Sequence, residues 1–194
     1  MRSVFGQLAL ESDVTPNGVK HVEREVTMYV LLNDLQDVKE LAESSETHEQ
    51  WNVKTDDENI RMRIRLTDDV EYSATTKEKT KNNFETIETE QIVSKDFFEA
   101  LKKMSKDGYQ KTRYNIPIPD RKTIWEVDVF KKKNGDFSLW VKVDYEFERG
   151  DDIVPHLPFT YKEIIIPDIQ PGHENTIDQL WNEEWMKLDE YKTT

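Results

Sequence analysis

Between Ile60 and Leu66 the chain reads Ile-Arg-Met-Arg-Ile-Arg-Leu, with apolar and basic residues in strict alternation. Successive side chains of a strand point to opposite faces, so Arg61, Arg63 and Arg65 share one face. The same arrangement recurs in strand after strand. Lys77, Lys79 and Lys81 share a face, as do Glu23 with Glu25, Glu88 with Glu90, Lys111 with Arg113, and Glu126 with Asp128. Asp144, Glu146 and Glu148 form one more such row. Like charges two residues apart repel, and surface strands usually mix signs with Ser, Thr and Gln. For any single strand, a solvated outer face over an apolar core is the ordinary explanation. For the whole set, acidic strands facing basic strands across a closed lumen fits better. The apolar faces then point outward, under helices and loops, and a barrel of about eight strands has room inside for one small ligand.

Composition agrees with inward charge. Hydrophobic residues make up 36% and charged residues 35% of the 194 positions, which is polar for a globular domain. Aromatic residues at 10%, spread along the whole chain, argue against disorder. Cysteine is absent, which excludes disulfides and thiolate metal sites. No apolar stretch is long enough to span a bilayer, and the first residues do not read as a signal peptide, so a soluble, cytoplasmic protein is expected. The net charge of −13 weighs against nonspecific nucleic-acid binding but is silent about a local anion site.

Along the chain, residues 1–20 read as an N-terminal extension with a turn at Pro16, Asn17 and Gly18. Strands are predicted over His21–Leu32, Trp51–Lys54, Ile60–Leu66, Glu71–Lys81, Glu85–Val93, Tyr109–Ile118, Thr123–Lys131 and Phe137–Glu148. Asp68-Asp69 and Asn134-Gly135 mark hairpin turns. Helices are predicted over Asp34–Glu43 and over Lys95–Lys106, the second capped by Ser94 and ended by Gly108, with Phe97, Phe98, Leu101 and Met104 as its buried stripe. Residues 151–172 form a long connection with a short strand at Glu163–Ile166, and 176–191 form a closing amphipathic helix. There is no alternating βαβ pattern, so the chain reads as α+β, mainly antiparallel β: a single domain built on an eight-stranded closed tunnel-like barrel with a few surrounding helices.

Such a lumen suits a phosphate chain together with a metal. Arg and Lys rows match phosphate oxygens, and Arg does so bidentately. Glu-x-Glu rows offer hard oxygen ligands to Mg²⁺ or Mn²⁺. His21, His48, His156 and His173 have no ligand spacing and read as surface or hydrogen-bonded residues. Trp125, Trp140, Trp181 and Trp185 read as packing anchors, and Lys131–Lys133 as a solvated hairpin tip.

Lys111-Thr-Arg-Tyr114 followed by Trp125-Glu-Val-Asp-Val-Phe130 resembles the central signature of bacterial proteins of the CYTH superfamily, the triphosphate tunnel metalloenzymes. The Arg61–Arg65 row, Lys77 or Lys79, Glu88 and Glu90, and Asp144-Tyr-Glu146 follow in the family's order. The resemblance spans roughly residues 21–170. The family opens on Glu-x-Glu-x-Lys; here Glu23 and Glu25 supply both acids and Thr27 stands in the lysine's place.

The resemblance implies metal-dependent hydrolysis of inorganic tripolyphosphate or a nucleoside triphosphate. Arg61, Arg63, Arg65, Lys77, Lys79, Lys111 and Arg113 would hold the phosphates. Glu23, Glu25, Glu88, Glu90, Asp128, Asp144 and Glu146 would hold Mg²⁺ or Mn²⁺, with Glu23, Glu25 and Glu146 as the catalytic set. Glu126 faces the lumen by parity. The implied partner is a small-molecule triphosphate. Nucleic acid is expected only through a 5′-triphosphate end, and the chain is expected to be a monomer or homodimer. Thr27 motivates a second reading, a module that binds triphosphates or an RNA 5′ end with weakened turnover; a third is an interaction protein that kept the fold.

Overall fold

The computed structural model of the protein describes residues 13–15, 18–57, 59–80, 85–132, 134–147 and 153–166. The predicted closing helix at 176–191 lies outside the described residues, as do Lys81, Glu148, His173, Trp181 and Trp185.

The strands are β1 (Asp13–Thr15), β2 (Gly18–Leu32), β3 (Ser44–Val53), β4 (Ile60–Thr67), β5 (Glu71–Lys79), β6 (Glu85–Ile92), β7 (Ser105–Pro117), β8 (Ile124–Lys131), β9 (Phe137–Glu146) and β10 (Tyr161–Ile165). Two helices accompany them, α1 (Gln36–Leu41) and α2 (Lys95–Met104). All pairings are antiparallel, in the order β2-β6-β5-β4-β3-β7-β8-β9 and back to β2, which closes an eight-stranded ring. β2 makes closure possible because it is 15 residues long. Its residues 19–24 pair with β6 and its residues 25–31 with β9. β1 and β10 are added along β2.

The ring is polar inside and apolar outside. Val26, Met28, Val30 and Leu32 of β2 join Trp125, Val127 and Val129 of β8 and Val141, Val143 and Tyr145 of β9 in one buried cluster on the outer face. Val38 of α1 and Phe159 cover it. A second outer cluster, Trp51, Val53, Ile64 and Ala74, is covered by Phe98 of α2. Hydrophobic stabilisation therefore comes from the barrel's coat, at about 25 cal/mol per Å² of apolar surface removed from water.

Local chemistry accounts for the joints. Asp68 and Asp69 adopt φ of 49° and 58°, the left-handed region a tight hairpin demands, and Val70 N–H bonds to Thr67 C=O at 3.0 Å. Gly135 takes φ of 90° in the β8–β9 turn, where Asn134 Oδ1 accepts from Asp136 N–H at 3.0 Å. Ser94 caps α2, its Oγ accepting from Phe97 N–H at 3.2 Å.

Four expectations are corrected. The strand predicted from His21 begins at Gly18, and β1 precedes it within the expected N-terminal extension. β3 begins at Ser44, seven residues before the predicted Trp51. α2 stops at Met104, and its stripe is narrower than predicted: Phe98 is buried and Leu101 packs on the cluster, whereas Phe97 and Met104 are 47% and 65% exposed. Gly108 does not end the helix but lies within β7, opposite Trp51 in the ladder.

A Cβ on Gly108 would stand 2.1 Å from Trp51 Nε1. The indole is fixed, with the Phe98 ring edge-on at 5.6 Å and Lys102 Nζ 4.0 Å above it. Gly108→Ala is therefore expected to destabilise the fold by about 1–3 kcal/mol through overpacking. Urea denaturation checks this, and an unchanged midpoint would mean that Trp51 moves freely.

Candidate functional site

The alternate residues of the ring that do not join the outer coat converge inside it, and they are sorted by charge. Arg63 and Arg65 of β4, His48 and Gln50 of β3, and Lys111 and Arg113 of β7 come from three adjacent strands and form a basic wall. Glu126 and Asp128 of β8, Asp144 and Glu146 of β9, Glu23 and Glu25 of β2, and Glu88 and Glu90 of β6 form an acidic wall. Two cations, Lys77 of β5 and Lys142 of β9, stand among the acids.

Asp128 joins the walls. It is 1% exposed, and it receives Arg113 Nε at 2.8 Å on one oxygen and Arg113 Nη2 at 2.9 Å on the other. Lys111 Nζ also pairs with it. Burial pushes its pKa up, but the charges of Arg113 and Lys111 and the Arg113 hydrogen bonds outweigh burial and hold it well below the usual carboxylate range. Arg113 turns Nη1 to Glu126 and lies 3.9 Å from Asp144. Asp144 is held by Lys142 Nζ on Oδ2 and by Thr27 Oγ1 at 2.7 Å on Oδ1. Lys142 stays protonated, because Asp144, Glu25 and Asp128 outweigh its burial. Lys77 Nζ is 2.6 Å from Glu23, 2.8 Å from Glu88 and 3.6 Å from Glu25. Glu90 accepts from Thr75 Oγ1 at 2.7 Å.

The basic wall is under-compensated. Arg63 comes within 3.6 Å of Glu88, but Arg65 forms no ion pair among the described residues. The Nε atoms of both arginines are buried without a hydrogen-bond partner. Burial, with Arg63 and Arg113 nearby, depresses the pKa of Arg65. His48, expected at the surface or in a hydrogen bond, is 1% exposed inside the barrel. Its Nε2 lies 3.3 Å from Glu46, and Nδ1 has no partner. Burial first, then Lys111, Arg65 and Arg113, push its pKa down to about 4, so it is neutral at pH 7.

The acidic wall carries the opposite imbalance near its rim. Glu146 is exposed there and is pushed up to about 7, by desolvation first and then by Glu126, Glu23 and Glu25. Glu25 is raised by burial and by Asp144. Among the described residues, no three acidic or histidine side chains stand as a ready metal cage. Arg61 and Lys79 are exposed at the ends of their strands. Elsewhere in the lumen Tyr29, Tyr109, Phe130 and Trp140 pack together with Ile165, and burial raises the Tyr29 hydroxyl to about 12. Parity found the charged rows; it missed His48, Gln50 and Lys142, which lie in or beside rows of other signs.

Fold and site together define a closed antiparallel β-tunnel with a charged lumen of two opposed walls. No family model matches the chain, and no curated protein does. Among solved structures, it is similar to the inorganic triphosphatase NE1496 at 22% identity and a TM-score of 0.47, covering 77% of this chain and 89% of that one. It is also similar to the PH1819 protein of Pyrococcus horikoshii at 18% identity and a TM-score of 0.44, covering 87% and 92%. Likeness of this degree carries no argument about substrate or reaction. No helix among the described residues is long and apolar enough to cross a membrane.

Two outcomes follow from the charges. Asp128→Asn leaves Lys111 and Arg113 buried without their anion and is expected to cost about 3–5 kcal/mol of stability near neutral pH. Because the folded pKa of Asp128 is depressed, its contribution is present above the unfolded carboxylate pKa and lost as pH falls through the folded one. Glu146 is the reverse case: with a folded pKa of about 7, its charge disfavours the fold increasingly from the unfolded value up to neutrality. Thermal melts should show Glu146→Gln more stable than wild type at about pH 8, with the gain shrinking toward pH 5. A pH-independent difference would contradict the crowding of these acids.

Proposed function

We propose that the chain is a CYTH-type triphosphate tunnel protein that binds inorganic tripolyphosphate or the triphosphate of a nucleotide in its lumen and hydrolyses it with Mg²⁺ or Mn²⁺. The observation that carries this reading is Arg65, a half-buried arginine whose Nε is buried without a hydrogen-bond partner and which forms no ion pair among the described residues, beside Arg63 and Arg113. Burying such a charge unpaired is costly, and an anion of several oxygens would offset the cost.

Arg63, Arg65, Lys111 and Arg113 would grip the phosphate oxygens, with Asp128 anchoring the Lys111 ammonium and fixing the plane of the Arg113 guanidinium. Arg61 and Lys79, exposed at strand ends, would draw the anion in. Loose phosphoryl-transfer transition states need positioning and neutralisation above all, which rigid pairs supply. The acidic wall, though not a ready cage among the described residues, offers oxygens to a hard divalent cation, and desolvation followed by the charges of Glu126, Glu23 and Glu25 pushes Glu146 up to about 7. Glu23, Glu25 and Glu146 would hold that ion, with Glu88, Glu90, Asp128 and Asp144 shaping the charge behind them. Once bound, it would supply Lewis-acid neutralisation of the phosphates and a more acidic water. Thr27 favours a second reading, capture without turnover, because the residue at that position caps Asp144 instead of presenting a cation.

The test is phosphate release from tripolyphosphate, nucleoside triphosphates and 5′-triphosphorylated RNA, with Mn²⁺ or with EDTA. Metal-dependent release supports hydrolysis. Binding by calorimetry with no product supports capture. Arg65→Met is expected to weaken either by roughly tenfold or more, the worth of lost charge-assisted hydrogen bonds. Unchanged affinity in that variant would reject the lumen as the site.

A further inference from the structure

Lys142 lies on the lumen face of β9, two residues before Asp144, and its Nζ pairs with Asp144 Oδ2. An ammonium carries three N–H donors. Among the described residues Asp144 is its only hydrogen-bonded acceptor, and the side chain keeps 23% of its surface exposed. The neighbouring cations differ in this respect. Lys77 is surrounded by Glu23, Glu88 and Glu25, and Lys111 and Arg113 close on Asp128. Lys142 is thus the cation of the acidic wall with donors to spare. The second oxygen of Asp144 is taken by the Thr27 hydroxyl, and Thr27 stands directly opposite Asp144 in the β2–β9 ladder. Asp144 is therefore hydrogen-bonded on both oxygens, by Lys142 on one side and Thr27 on the other, with Arg113 3.9 Å away. In the ring order β9 stands four strands from β4 in either direction, so Lys142 approaches the lumen from the wall opposite Arg63 and Arg65.

We propose that Lys142 is a substrate-binding residue that donates to an oxygen of the bound triphosphate from the acidic wall, so that the anion is gripped from two sides. This rests on the lumen being a triphosphate site. A phosphate chain held by the basic wall alone would turn its remaining oxygens toward Asp144 and Glu25, and like charges would repel. The Lys142 ammonium, anchored by Asp144, lies where those oxygens would arrive. Thr27 supports it by occupying the oxygen of Asp144 that Lys142 leaves, and the pair is reciprocal: a lysine at 27 with a threonine at 142 would put the ammonium on the other side of the same carboxylate.

The experiment is calorimetric titration of the full chain with tripolyphosphate, with thermal melts run alongside. Lys142→Thr is expected to weaken binding by roughly tenfold or more, and Lys142→Arg to keep it within a few-fold. The exchange variant Thr27→Lys/Lys142→Thr, which preserves net charge, is expected to recover most of the loss. Lys131→Thr, the same charge change at an exposed hairpin position, is expected to leave affinity alone. If Lys142→Thr fails to fold, Lys142→Thr/Asp144→Asn removes both charges and is expected to show the same weakened binding. A folded Lys142→Thr variant with wild-type affinity overturns the proposal while leaving the lumen site standing. A wild-type chain that does not bind tripolyphosphate at all overturns the lumen reading, and this inference with it.

Discussion

Asp128 is the anion on which the interior depends. Lys111 and Arg113 sit two residues apart on one face of β7, where their charges repel, and Asp128 offsets that repulsion by reaching both from the next strand. Arg113 stands directly opposite Asp128 in the ladder, and its guanidinium meets the carboxylate with Nε and Nη2 together. That fixes the plane of the guanidinium and turns Nη1 toward Glu126. Lys142 and Asp144 continue the row on β9. Pairs like these contribute little net stability once desolvation is counted, so the barrel's stability must come from its outer coat. What the pairs provide is fixed geometry, with donors already aimed before a ligand arrives.

The parts of this fold that could be read from sequence are those where one face is apolar. Ile60–Leu66 alternates so strictly that strand, register and orientation follow together, and β2, β8 and β9 show the same contrast. β3 escaped because its lumen face, Glu46, His48 and Gln50, is polar while its other face, Ser45, Thr47 and Glu49, is polar as well. Period-2 reading needs a contrast, and there it had none until Trp51. Gly108 shows a different limit. A glycine after a helical pattern looks like a helix stop, yet here its missing Cβ makes room for the Trp51 ring, and only tertiary contact could reveal that. His48 and Lys142 escape a reading by parity for a related reason. Neither belongs to a row of like charge, and their importance lies in neighbours supplied by other strands.

The net charge of −13 and a phosphate site are compatible because the molecule's cations are not spread evenly. Arg63, Arg65, Lys111 and Arg113 gather on three adjacent strands around a low-dielectric interior, where each charge acts more strongly than it would on the surface. Neutral His48 belongs to the same field. Burial depresses its proton affinity first, and the positive wall adds to that, since protonation would put one more charge beside Lys111, Arg65 and Arg113.

Segregation of the two signs also narrows the kind of ligand that fits. Had acids and bases alternated around the ring, each would have neutralised its neighbour and left little for a guest to do. Instead Arg65 forms no ion pair among the described residues on one wall, while on the other desolvation and three neighbouring acids push Glu146 up to about 7. An anion alone would relieve the first imbalance and aggravate the second, and a cation alone the reverse. A phosphate chain accompanied by a divalent cation answers both at once. Lys142, paired with Asp144 on the acidic wall, would in the proposed complex meet phosphate oxygens that otherwise face carboxylate. The lumen is thus complementary to a pair of opposite charges rather than to either one, and that complementarity follows from which strands carry which sign.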